Sequence, residues 1–110
     1  MRKLNELLLT NTAGMPILKV KTSQVKFEGV PNSITQTINT KGGINRNYYG
    51  ESGRQYKQIS NSHHNHKAVM SFGKNDEHAH DYFYDKDGNL IGRPYRELTD
   101  EERKENEDIL

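Results

Sequence analysis

The chain contains no cysteine and no tryptophan, and only 31% of its 110 residues are apolar. Without cysteine there is neither a disulfide framework nor a thiolate metal site. The same absence suits a protein that crosses a membrane unfolded or works outside the cell. The apolar share falls below the roughly 45–50% usual for soluble domains, although that figure counts glycine and this one does not. Long hydrophobic runs are missing too. The N-terminal MRKLNELLLT is interrupted by Asn5 and Glu6 and is too short to cross a bilayer. No small-residue cleavage site follows it, so neither a signal peptide nor a membrane span is expected, and a cytoplasmic location fits. An excess of one charge is also absent: 16 Lys and Arg face 15 Asp and Glu, for a net charge of +1. That balance argues against a general nucleic-acid coating protein but leaves room for a local grip on a few phosphates.

Six tyrosines and three phenylalanines supply bulky residues for a core. The expectation is one folded, thin-cored domain spanning residues 1–110. Residues 1–15 read as flexible or as a short helix around Leu4 to Leu9, broken by Gly14 and Pro16. A sheet core is expected over 16–98. ILKVKT and VKFEGV alternate apolar and polar side chains, and ITQTIN is rich in β-branched residues. INRNYY and RQYKQIS follow, joined through the glycine-bearing TKGG and GESG, which predicts an antiparallel meander. HAHDYFYD reads as a strand, DKDGN as a hairpin turn, and LIGRPYREL as an edge strand, since Pro94 cannot donate to a ladder. Residues 99–110 read as a helix, because Thr99 and Glu102 form a capping-box pattern and Asp100, Glu101 and Glu102 suit a helix N-terminus.

All five histidines fall between Ser60 and Asp85: His63, His64, His66, His78 and His80. Ser60 to Glu77 has no clear period and reads as a long His-rich loop, which is usually either functional or disordered. On a strand, His78 and His80 share one face, roughly 6.5–7 Å apart along the chain. Two chemistries suit that geometry. His64, His78 and His80 could ligate zinc, although no HExxH-type spacing is present. Alternatively, the imidazoles could work without metal or cofactor as general base and acid on RNA, which carries its own 2′-hydroxyl nucleophile. Arg46, Arg54, Lys57 and Arg93 are the candidate phosphate-holding cations, and Tyr48, Tyr49 and Tyr56 could stack a base. Taken singly, each histidine is as readable as loop composition, and each tyrosine as core. The pooling of every imidazole in one window tips the reading towards function.

GVPNSITQTINTKGGINRNYYGESGRQYKQIS, followed by HHNH and EHAHDY, resembles the C-terminal domains of bacterial polymorphic toxins of ribonuclease type, with similar modules in phage and mobile-element proteins. Pro31-Asn32-Ser33 matches their opening turn, Arg46, Tyr48 and Tyr49 their R-x-Y-Y element with Gly53 as its turn, and His78 and His80 their H-x-H segment. His64 falls at the histidine of their D-H-G-x-P element, but His63 replaces its Asp, Asn65 its Gly, and no Pro follows. The resemblance implies an α+β domain on a small curved antiparallel sheet, as in barnase-like nucleases. It implies catalytic His64, His78 and His80 with Arg46 among the matched residues; Arg54 and Tyr56, read from residue type alone, join Arg46 as candidates for holding the substrate. It also implies RNA as partner, an immunity protein if the toxin is active, and delivery as a secreted module. The altered middle element would fit a degenerate relic. A reading from a different class is a non-catalytic accessory protein of a phage or mobile element, binding a partner through its edge strand or helix.

Overall fold

The computed structural model describes residues 8–10, 14–20, 26–39, 42–61 and 77–110. Its strands are β1 (Leu8–Thr10), β2 (Pro16–Lys19), β3 (Ser33–Ile38), β4 (Ile44–Tyr49), β5 (Gln55–Ser60), β6 (His78–Asp81), β7 (Phe83–Tyr84), β8 (Leu90–Gly92) and β9 (Tyr95–Arg96). One helix, α1 (Asp100–Glu105), follows. Seven strands form a single sheet in the order β1-β2-β3-β4-β5-β6-β9, while β7 and β8 pair separately.

The meander is present where turn chemistry favours it. Between β3 and β4, the Asn39 side chain accepts from the Gly43 N–H at 2.8 Å. Between β4 and β5, Gly53 adopts φ +84°, and a Cβ there would lie 2.9 Å from the Gly29 carbonyl oxygen, so the turn requires glycine. Asp85 organises the β7–β8 turn by accepting from the N–H groups of Asp87 and Asn89.

The expected α+β, all-antiparallel architecture is corrected. The described residues are mostly sheet with one six-residue helix, and β2 runs parallel to β3. A parallel pair needs a crossover of about a dozen or more residues, and residues 20–32 separate β2 from β3. The helix begins as expected, with both halves of the Thr99–Glu102 capping box formed. It stops at Glu105 because the Asn106 side chain turns back to donate to the Glu102 carbonyl at 2.9 Å. Lys26–Val30 carries only an isolated bridge from Glu28 to Arg54, not a strand. Gly29 lies against the Tyr49 ring, where a Cβ would approach to 3.0 Å. HAHDYFYD is two strands, divided where the Tyr82 N–H leaves the ladder to donate to the Tyr56 carbonyl. Leu8–Thr10 is strand β1, not helix. The proposed His-rich loop, with His63, His64 and His66, lies outside the described residues.

Alternation along β4, β5 and β6 gives the sheet two distinct faces. One is apolar: Ile17, Ile34, Tyr48, Ile59, Ala79 and Leu98 form the core. Helix α1 closes it through ion pairs. Arg96 binds both Asp81 and Glu102, and Lys57 binds Glu102 at 3.0 Å. Arg46, 1% exposed, donates to Gln36, Asn106 and both carboxylate oxygens of Asp108. Burial of the Tyr48 hydroxyl beside Asn106 pushes its pKa up to about 12.

Burial opposes ionisation of Glu102, but hydrogen bonds from Arg96, the Thr99 N–H and Lys57 outweigh it and hold the carboxyl at about 2. A depressed carboxyl contributes stability that is present above its ordinary value of 4.5 and is lost as pH falls through about 2. Glu102→Gln should therefore destabilise the protein at pH 7 and lose most of that effect near pH 2, read from urea midpoints. An equal deficit at both pH values would contradict the assignment. Thr99→Ala should cost about 1 kcal/mol, and Ile59→Ala about 2–5 kcal/mol.

Candidate functional site

The face opposite the helix is polar and yet buried. Its rows follow the sheet register: Thr37, Asn45, Ser60 and His78 form one, and Thr35, Asn47, Gln58, His80 and Tyr95 the next. Ser33, Tyr49 and Gln55 form a third, where a bulge at Tyr48/Tyr49 shifts the β4–β5 register. Most of these side chains are buried. Buried amides must find partners, since each one left unpaired costs about 1–3 kcal/mol, and here they pair with each other. Asn47 Oδ1 accepts from Gln55 at 2.9 Å and from Gln58 at 2.8 Å, while Asn47 Nδ2 donates to the Thr35 carbonyl. Ser60 donates to Asn45. The Tyr49 hydroxyl donates to the Lys26 carbonyl, tying down the segment before β3, and burial raises its pKa to about 12.

The two imidazoles stand at one end of this layer. Strand alternation sends both to the same face, and their ring centroids lie 5.0 Å apart, edge to face. His78 is fully buried and His80 is 5% exposed. His80 Nδ1 lies 3.2 Å from the Arg93 carbonyl oxygen. A carbonyl only accepts, so Nδ1 carries the proton, and in the neutral ring Nε2 holds the lone pair, on an atom buried from solvent. Tyr95 packs edge-on to His80 at 6.2 Å.

Arg93 completes the group. Its Nε donates to the Tyr82 hydroxyl at 2.8 Å and its Nη2 to Gln58 Oε1 at 3.0 Å. The guanidinium lies over the Tyr82 ring at 5.3 Å. Among the described residues no carboxylate pairs with it. The other described arginines on the helix side are neutralised: Arg46 by Asp108, Arg96 by Asp81 and Glu102, Arg103 by Glu77. Arg93 is thus an exposed residue whose guanidinium is anchored on Gln58 of the polar layer and whose backbone carbonyl meets His80.

The sequence-derived candidates divide. His78 and His80 come together, whereas His64 lies outside the described residues. Arg46 faces the helix and is consumed by Asp108, so it does not reach the imidazoles. Arg54 lies over the Tyr84 ring at 4.7 Å. Tyr56 is half-exposed on the helix side, edge-on to Tyr48 and near the Lys57 ammonium. Arg93 was one of four equivalent cations by sequence, and nothing local marked it. The amide layer does carry a sequence signal: Thr35 and Thr37, Asn45 and Asn47, and Gln58 and Ser60 recur at period two. For the zinc alternative, no group of three metal-ligating side chains occurs among the described residues. Among them, too, no helix is long and apolar enough to cross a membrane. No protein-family model, curated protein or solved structure matches the chain.

Asn47→Leu removes the acceptor shared by Gln55 and Gln58. It should destabilise the protein by about 1–3 kcal/mol for each amide left unpaired, measured by urea unfolding. A loss within experimental error would mean that the layer is not internally satisfied.

Proposed function

We propose that this chain is a metal-independent ribonuclease-type domain of the polymorphic-toxin kind, cleaving RNA by histidine-based acid–base chemistry. The observation that supports this reading is the imidazole pair of His78 and His80, with the Arg93 backbone carbonyl at His80 and an Arg93 guanidinium that no carboxylate pairs with among the described residues. In the reaction, the polar layer must open to expose the buried His80 Nε2, which then takes the proton of a ribose 2′-hydroxyl while that oxygen attacks the adjacent phosphorus. The bond from phosphorus to the 5′-oxygen breaks, and a protonated imidazole delivers a proton to that leaving oxygen. The products are a 2′,3′-cyclic phosphate and a free 5′-hydroxyl. Arg93 neutralises the charge that builds on the non-bridging oxygens. Among the described residues His78 is the imidazole that packs against His80, and His64 remains the candidate third imidazole. An active toxin of this kind would be matched by an immunity protein and delivered from the cell that makes it.

A second reading has its own observation. His78 is fully buried and Arg93 is already bonded to Gln58 and Tyr82. That suits a non-catalytic accessory module in which the imidazoles are part of the packed polar layer.

Incubation of the protein with structured RNA in EDTA separates the two. Cleavage with 2′,3′-cyclic phosphate ends is expected, with a loss of about 10²-fold or more in His80→Ala. Arg93→Gln should also slow cleavage, and 2′-deoxy substitution at the cut site should block it. Equal cleavage by wild type and His80→Ala, or none by either, would remove the nuclease reading.

A further inference from the structure

Among the described residues, two arginines have no carboxylate partner: Arg93 and Arg54. Instead of an acidic partner, each lies over a tyrosine ring: Arg93 over Tyr82 and Arg54 over Tyr84. The two tyrosines flank Phe27, whose ring meets Tyr82 at 6.2 Å and Tyr84 at 6.4 Å, both edge to face. A line therefore runs from the imidazoles through Arg93, Tyr82 and Phe27 to Tyr84 and Arg54. At its far end is a groove of about 300 Å³ lined by Lys26, Phe27, Glu28, Arg54, Tyr84 and Gly88.

The groove is a built feature. The Gln55 N–H donates to the Phe27 carbonyl at 2.7 Å, and the Tyr84 hydroxyl donates to the Gln55 carbonyl at 2.7 Å. Both aromatic walls are thus fastened to the first residue of β5. Gly88, at φ +86°, brings the β7–β8 turn so close that a Cβ would lie 3.0 Å from an Arg54 guanidinium nitrogen. Phe27 nevertheless remains 49% exposed, an aromatic surface between two cations.

We propose that this groove is a subsite for a neighbouring nucleotide unit of a single RNA strand, with the base against Phe27 and a phosphate between Lys26 and Arg54. The inference rests on the ribonuclease reading and extends it from the bond cut to the strand held beside it. Base stacking on an aromatic side chain tolerates any base, and a guanidinium fixes phosphate through paired donors. Glu28 opposes a second phosphate on its own side of the groove. Its carboxylate can accept from a base amino group, which favours adenine, cytosine and guanine over uracil.

The test is an amide-resolved NMR titration of the full chain. Separate arms use adenosine 5′-monophosphate, uridine 5′-monophosphate, inorganic phosphate and a short 2′-O-methyl RNA that cannot be cleaved. The adenine nucleotide should shift Phe27, Arg54 and Gly88, and bind more tightly than the uridine nucleotide or phosphate. The oligonucleotide should bind more tightly still and extend the shifts to Tyr82 and Arg93. Phe27→Leu and Arg54→Gln should each weaken binding about tenfold, while Glu101→Gln, exposed on helix α1, should bind as wild type does. Shifts elsewhere, equal binding of phosphate and nucleotide, or an oligonucleotide no tighter than the mononucleotide would overturn the subsite. Because none of these ligands is cut, a failure of cleavage leaves this result standing, and the reverse holds too.

Discussion

The central strands β4 and β5 are buried on both faces, and the chain has too few apolar residues to fill both. Everything else in the architecture answers to that constraint. One face gathers the available aliphatic and aromatic side chains. The other is filled with amides, hydroxyls and imidazoles, which can be removed from water only if they bond each other. Asn47 is the hub of that second face, since its one carbonyl oxygen serves two glutamine side chains. Strand register places two buried imidazoles at the end of that layer.

On the helix side the same shortage is met by ions. A six-residue helix offers little apolar area, so Arg46, Lys57 and Arg96 fasten the C-terminal segment through Asp108 and Glu102. These pairs occupy the cations on that side. Arg93 and Arg54 fall on the other side with tyrosine rings beneath them, so their charge stays available to an anionic ligand. Fold and site are thereby coupled: the side of the sheet on which an arginine falls decides whether it builds structure or meets ligand.

Much of the local structure was legible in the residues. TKGG and GESG marked turns because glycine is needed there, and Thr99 with Glu102 marked the start of the helix. The shared face of His78 and His80 followed from a period of two. What the sequence could not convey was which side of the sheet each cation would occupy relative to the helix. Arg46 and Arg93 are chemically alike, and only the packing of Asp108 against β4 distinguishes them. The parallel β2–β3 pair was equally hidden, since it depends on where a long connection re-enters the sheet. The short helix escaped because its end is set by one side chain, Asn106, bonding backward.

The claim on which the account turns is that the imidazole pair and Arg93 form one cluster at the end of the polar layer. Nuclear Overhauser contacts among the ring protons of His78 and His80, together with contacts from the Arg93 guanidinium to Tyr82 and Gln58, measure it directly. Strong contacts are expected between the two rings and from Arg93 to both partners. Rings without mutual contact, or an Arg93 side chain close to a carboxylate instead, would contradict it.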